Sequence, residues 1–153
     1  MKLLFVCFMK KNRSSTPCLG ICSTTYGDDV CKGCKRFVHE VISWNKFNAA
    51  EKSAINKRLE QFKITILESR FAVIDANLFS DQLKKQGINF NESLEPLTWI
   101  YDLFRAAGTQ SLDLNKFGIE AKKYFDPRTI KDQINNELLE LSEAHFNRYF
   151  QKA

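Results

Sequence analysis

Four cysteines lie close together near the start of the chain, and they constrain its fold more than any other feature. They follow the pattern C-x3-C-x8-C-x2-C within 17 residues, at Cys18, Cys22, Cys31 and Cys34. Glycine and aspartate, which favour tight turns, recur through the same segment. Soft thiolates held by turns are typical ligands of a zinc ion or an iron–sulfur cluster. The pattern therefore predicts a metal knuckle in which all four cysteines bind one centre.

Two other roles for these thiols remain open from the sequence. They could be free structural thiols, or one pair could form a redox disulfide. We favour metal ligation because disulfides are rare in a reducing cytoplasm, where clustered thiols more often hold an ion. Cys31 and Cys34 have the separation of a metal knuckle, and Gly33 between them allows backbone amides to turn toward the sulfurs. Cys7 lies in an apolar run without turn residues, so we expect it not to bind the metal.

The start of the chain does not resemble a membrane segment. Its longest apolar run covers residues 3–8, whereas a membrane span needs about 18 residues or more. A lysine-rich patch follows this run, where a signal peptide would carry its cleavage site. We therefore expect a cytoplasmic protein with no membrane partner.

Positive charge is concentrated in the first 60 residues. These hold 11 Lys or Arg against 5 Asp or Glu, a balance of +6, and the remainder holds 12 against 13, a balance of −1. Four thiolates on a divalent ion would add about −2 to the first part. Lys10, Lys11 and Arg13 form the one tight basic cluster in the sequence. Because so few phosphates could be neutralised, we expect nucleic-acid binding to be weak at most.

Helical periodicity begins directly after the cysteines. Phe37, Val41 and Trp44 recur at i, i+4 and i+7 and predict a short amphipathic helix. Asn48 and Glu51 have the spacing of a capping box at the start of a second helix. From residue 62 the pattern is ambiguous, because short apolar runs at 62–66 and 71–74 suit a β-hairpin over residues 62–74 as well as a continued helix from residue 49.

The rest of the chain is predicted to be helical. Ser80 is a candidate cap for a short helix, and Pro96 is expected to open a second helix that ends at Gly108. Asp126 and the proline after it are expected to start a long final helix.

The predicted fold class is mainly α, with a small four-cysteine metal knuckle followed by a helical domain. We divide the chain into a flexible tail at residues 1–15, a metal-binding module with two helices at residues 16–60, and a mainly helical domain of unknown role at residues 61–153.

Several short motifs resemble a known bacterial family, the domain-of-unknown-function family 1289. They lie between about residues 16 and 60 and read T-P-C-L-G-I-C, C-K-G-C-K-R, E-V-I-S-W, N-A-A-E-K and R-L. Members of that family are often called predicted iron–sulfur proteins, which implies cysteine ligation but brings no catalytic residue. Lys35 departs from the family pattern by replacing the usual glycine after the last cysteine. Asn48 likewise takes a serine position, and His39 stands where aspartate is common.

An enzymatic role is not expected, because four thiolates fill a tetrahedral ion and leave no open position for a substrate. Arg36, Glu40 and Trp44 are spaced at i, i+4 and i+8, so on a helix they would share one face and could present it to a protein partner. The alternative is an intrahelical ion pair beside a core tryptophan. The function we predict is a metal-stabilised binding module, and the alternative is an iron–sulfur electron-transfer or redox-sensing protein.

The two histidines are not expected to bind metal. His39 follows a cysteine set that is already complete, and we predict that it lies on a helix surface or is half-buried. His145 lies on the apolar stripe of the last helix and is predicted to be a core or interface residue.

Overall fold

The computed structural model describes residues 16–20, 22–108 and 110–150, and its architecture is mainly α. In this part of the chain the helices are α1 (Val38–Ser43), α2 (Ala49–Glu68), α3 (Ala76–Lys85), α4 (Trp99–Ala107) and α5 (Ile130–Tyr149). Strand β1 (Phe71–Val73) pairs antiparallel with strand β2 (Ile119–Ala121). The mainly α fold class is confirmed. The predicted flexible tail at residues 1–15, with Cys7 and the basic cluster Lys10, Lys11 and Arg13, lies outside the described residues.

Helix α2 begins with the predicted capping box. The side chain of Asn48 accepts a hydrogen bond from the Glu51 N–H at 2.8 Å, and the Glu51 carboxylate accepts one from the Asn48 N–H at 3.3 Å. These bonds satisfy two amides that the first turn of a helix leaves without intrahelical partners. The helix then runs without interruption to Glu68.

The region from residue 62 to residue 74 resolves as a helix followed by one strand. Residues 62–66 are helical, and the second apolar run forms β1. The partner of β1 is distant in sequence, since Phe71 pairs with Ala121 and Val73 with Ile119. The prediction of a local β-hairpin over residues 62–74 is therefore wrong. The first apolar run, residues 62–66, belongs to α2, and Leu67 of this helix is fully buried.

Two helix starts also differ from their predicted positions. Helix α3 begins after Asp75, whose carboxylate accepts a hydrogen bond from the Leu78 N–H at 3.0 Å, so Ser80 lies inside the helix rather than at its cap. Helix α5 begins at Ile130, whose N–H bonds to the Asp126 carbonyl at 3.0 Å. The predicted helix between Pro96 and residue 108 is present as α4, preceded by a short 3₁₀ turn.

The chain divides into two compact units, and α2 and α5 each contribute residues to both. The described part of the first unit comprises residues 16–20, 22–59 and 139–150, and the second comprises residues 60–138 without residue 109. The second unit has the larger core, formed by buried residues of α2, β1, α3, α4, β2 and α5. The structure thus groups the end of α5 with the cysteine-bearing segment, an association with no signal in the local pattern.

The first unit contains two small apolar clusters. Phe37 is fully buried and packs with Val30 and Phe146, the last of these on α5. Trp44 packs with Ile55 and Leu59 of α2. The residues around the cysteines therefore have a core of their own.

None of the helices in the described ranges combines the length and apolar character required to cross a membrane.

Candidate metal centre

Residues 30–37 form a tight turn that places two cysteines side by side. Val30 and Phe37 form an antiparallel bridge at its base. Within the turn the Cys31 N–H donates to the Arg36 carbonyl at 2.9 Å, and the Lys35 N–H donates to the Cys31 carbonyl at 2.8 Å. We call this segment the Cys31–Cys34 turn. It brings the two cysteine side chains into hydrogen-bonding contact.

Backbone amides converge on the Cys31 sulfur. This side chain is 1% exposed, and its sulfur accepts hydrogen bonds from the N–H groups of Cys34, Ser23 and Gly33. Burial alone would raise the pKa of the Cys31 thiol, but the amide donors and the Cys34 side chain outweigh it and lower the pKa to about 7. Amide donors directed at a sulfur stabilise its thiolate form, which is the form that binds a metal.

The Cys34 thiol has a different hydrogen-bond donor from the Cys31 thiol, namely an arginine side chain. Its burial raises the pKa, and a hydrogen bond from Arg36 opposes that rise. The Arg36 Nε–H donates to the Cys34 sulfur at 3.3 Å, and Arg36 is only 5% exposed. The guanidinium also lies over the Trp44 ring, with its central carbon 4.8 Å from the ring centroid. Cys34 is therefore in contact with a buried positive charge.

Lys35, which stands where the resembled family usually has glycine, adopts a backbone conformation that glycine favours. Its φ of +68° makes it the one non-glycine residue of the described ranges in the left-handed region, a conformation that costs an ordinary side chain about 1–2 kcal/mol. Its buried ammonium donates to the carbonyls of Lys32 and Gly33, the latter at 2.9 Å. The side chain thus satisfies carbonyls of the turn while the amides face the sulfur.

The first two cysteines, Cys18 and Cys22, are more exposed than Cys31 and Cys34. Cys18 is exposed and Cys22 is half-buried. The Cys18 sulfur accepts a hydrogen bond from the Gly20 N–H at 3.4 Å, and the Cys22 sulfur lies 2.8 Å from the Thr24 hydroxyl. Within residues 16–20, 22–108 and 110–150, no three or more Cys, His, Asp or Glu side chains are gathered as ligands of one ion. The structure brings Cys31 and Cys34 together, and the four-cysteine set remains a prediction.

Ser23 connects the two halves of the cysteine segment. Its N–H reaches the Cys31 sulfur, and its hydroxyl accepts a hydrogen bond from the Lys32 N–H at 2.7 Å. Because Ser23 directly follows Cys22, this contact places Cys22 in the neighbourhood of the turn. The sequence carried no signal for this role of Ser23.

The donor groups of the Cys31–Cys34 turn fit a thiolate-bound metal or cluster. Two thiols share one turn, three amides face one sulfur, and a guanidinium contacts the other. Hydrogen bonds of this kind orient and stabilise thiolate ligands around a metal.

The predicted partner face of Arg36, Glu40 and Trp44 is corrected by the structure. Arg36 and Glu40 are each 5% exposed and Trp44 is 9% exposed, so none of the three is accessible to a partner. Helix α1 covers only Val38–Ser43, so the assumed face on one continuous helix does not exist. Glu40 forms an ion pair with Arg58 of α2 at 2.6 Å instead of an intrahelical pair with Arg36.

The histidines occupy the predicted environments. His39 is exposed on α1, with its ring 4.7 Å from the Phe150 ring. His145 is half-buried and stacks on Phe37 at 5.8 Å. Burial lowers the pKa of His145, and nearby Arg58 adds to that effect.

The fold and the turn define a small, mainly helical protein with two cysteines brought together in a C-x-x-C turn. Residues 16–63 match the family model described as "Protein of unknown function (DUF1289)". This match confirms the family resemblance that the motifs indicated, and it spans the cysteine segment, α1 and most of α2. No curated protein and no solved structure matches the chain.

Proposed function

We propose that the first unit is a metal-stabilised binding module, in which Cys18, Cys22, Cys31 and Cys34 hold a zinc ion or an iron–sulfur cluster. The observation that carries this proposal is the Cys31–Cys34 turn, where amide donors and a buried guanidinium surround two adjacent sulfurs. In such a centre the metal would supply folding energy to residues 16–29, because none of the described residues in that turn-rich stretch is buried.

A closed set of four thiolates is structural rather than catalytic. It occupies every position of a tetrahedral ion, so neither water nor substrate gains a ligand site. The proposed role is therefore to hold the module in a shape that a protein partner recognises. Two large side chains of the matched segment, Tyr26 and Ile42, are 86% and 76% exposed and are free of the unit's core, which supports contact with a protein.

Nucleic acid is the less favoured partner. The first 60 residues carry a balance of +6, which four thiolates on a divalent ion reduce to about +4. Few phosphate contacts give weak binding that depends on salt. A reducing cytoplasm is the proposed location, because thiol ligands persist there.

An iron–sulfur electron-transfer or redox-sensing role is the second candidate. The three amide bonds to the Cys31 sulfur favour it, because hydrogen bonds to cluster sulfurs tune the reduction potential.

Purification under anaerobic conditions, followed by metal analysis and visible absorption, tests both candidates. A colourless protein with one zinc per chain supports the binding module, whereas visible absorption with iron and sulfide supports the cluster. Serine variants of each cysteine then test the ligand set, with Cys7→Ser as the matched control. Loss of metal in Cys7→Ser with full retention in Cys31→Ser would show that the assignment is wrong.

A further inference from the structure

Arg36 is buried, and no carboxylate pairs with it within the part of the chain that the structure describes. The two half-buried arginines of the described ranges form ion pairs with acidic side chains, Arg58 with Glu40 and Arg70 with Glu137. No such pair involves Arg36 among these residues, although it is 5% exposed. Its polar neighbour is the Cys34 sulfur at 3.3 Å, and its apolar neighbour is the Trp44 ring.

Such an arrangement is costly if the sulfur is neutral. A buried guanidinium without an anion loses several kcal/mol of hydration energy, and a protonated thiol is only a weak acceptor. A thiolate in the same position would supply the missing negative charge. Stacking on Trp44 adds on the order of 1–2 kcal/mol, which is smaller than the desolvation cost.

We propose that Arg36 is the counter-ion of the metal-bound Cys34 thiolate and a positioning residue of the centre, held over the sulfur by Trp44. This inference rests on the proposed four-cysteine centre. It assigns Arg36 a specific effect, which is to increase the affinity of the site for a metal that keeps Cys34 anionic.

The charge balance of the site supports this role. Four thiolates with one divalent ion carry a formal charge of about −2. Two buried cations, Arg36 and Lys35, belong to the Cys31–Cys34 turn itself, and both are at most 5% exposed. Their two positive charges equal the formal charge of the centre in magnitude, and Arg36 is the one that contacts a cysteine sulfur.

Cobalt(II) is a suitable probe, because its thiolate complexes absorb visibly and its affinity can be titrated directly. The perturbing variant is Arg36→Gln. The matched control is Lys52→Gln, since the Lys52 ammonium also lies over Trp44, at 5.7 Å, and makes no hydrogen bond to any cysteine that the structure describes. We expect Arg36→Gln to weaken cobalt and zinc binding by about 10–100-fold, and Lys52→Gln to stay within about threefold of wild type.

Arg36→Lys distinguishes the effect of the positive charge from the effect of side-chain packing. It therefore tests the counter-ion role even if Arg36→Gln does not fold. It keeps the positive charge, so an affinity within about tenfold of wild type supports the counter-ion role, and a larger loss contradicts it. Wild-type affinity in a folded Arg36→Gln, or an equal loss in Lys52→Gln, overturns the role of Arg36 while leaving the metal centre in place. If the wild-type protein binds neither cobalt nor zinc, the zinc form of the proposed centre and the role of Arg36 in it both fail.

Discussion

The ion pair between Glu40 and Arg58 offers the sharpest test of how the first unit is held together. The two side chains form a bidentate pair at 2.6 and 2.7 Å, with side-chain exposures of 6% and 17%. Glu40 also accepts a hydrogen bond from the Phe37 N–H at 2.8 Å. Replacing Glu40 by Gln removes the charge but keeps a carbonyl that can accept this last bond.

The expected cost of Glu40→Gln is about 3 kcal/mol in the free energy of unfolding. Removing one partner of a buried ion pair usually costs about 3–5 kcal/mol, because the other charge stays buried without compensation. Arg58 cannot readily move to solvent, since its guanidinium lies over the Phe37 ring at 4.1 Å. Its partial exposure and the remaining carbonyl of Gln place the estimate at the lower end of the range.

The assay is urea unfolding followed by the fluorescence of Trp44. The chain has two tryptophans, so a Trp99→Phe background leaves Trp44 as the reporter of the first unit. Metal content and reductant are held equal in all samples, because ligand binding shifts apparent stability.

A double-mutant cycle with Arg58→Met provides the control. Removing both charges avoids an uncompensated buried ion, so the double variant should be more stable than the two single losses predict, by about 2 kcal/mol. A loss below about 1 kcal/mol for Glu40→Gln, or additive effects in the cycle, would refute the reasoning.

Three further predictions concern other parts of the fold. Gly118→Ala should lower the free energy of unfolding by about 2–4 kcal/mol, because a Cβ there would lie 2.8 Å from the Asp75 carbonyl oxygen and φ is +70°. The control is Gly87→Ala, which has the same φ but open space around it. It should lower the free energy of unfolding by about 1 kcal/mol. Lys35→Gly should be about 1–2 kcal/mol more stable than Lys35→Ala, since both lose the ammonium but only glycine relieves the positive φ. Burial raises the pKa of Asp102 to about 6 against two nearby cations, so the stability it contributes is present below about pH 4 and is lost as the pH rises through 6; Asp102→Asn should abolish that dependence.

Each of these has a clear contrary outcome in thermal or urea unfolding. Equal losses for the two glycine variants would mean that the close approach to Asp75 is not limiting. Equal stability of Lys35→Gly and Lys35→Ala would argue against a strained backbone. An unchanged slope of stability between pH 4 and 6 in Asp102→Asn would show that this carboxyl is not the titrating group.

Much of the local structure follows from short-range patterns. The capping box at Asn48 and Glu51, the helix that ends before Gly108 and the close approach of Cys31 to Cys34 were all predictable. In each case the deciding interactions join residues fewer than about five positions apart, or depend on a turn residue that determines its own backbone angle. The family resemblance has the same local basis, because its motifs are short.

Other features depend on partners that are distant in sequence. The apolar run at Phe71 can be recognised from the sequence as β-prone. Its pairing with β2 cannot be predicted in the same way, because a short strand can form hydrogen bonds with any suitable strand edge. The ion pair of Glu40 with Arg58 replaced an expected pairing with Arg36 for the same reason.

The amino-acid sequence by itself determined the mainly α fold class, the cysteine turn, the start of α2 and the end of α4, because turn chemistry and helical periodicity act between near neighbours. Only the tertiary structure decided that Glu40 pairs with Arg58, that β1 pairs with β2 and that Phe146 of α5 packs on Phe37. These outcomes depend on which buried charges and apolar surfaces meet when the chain folds, and a local pattern does not contain that information.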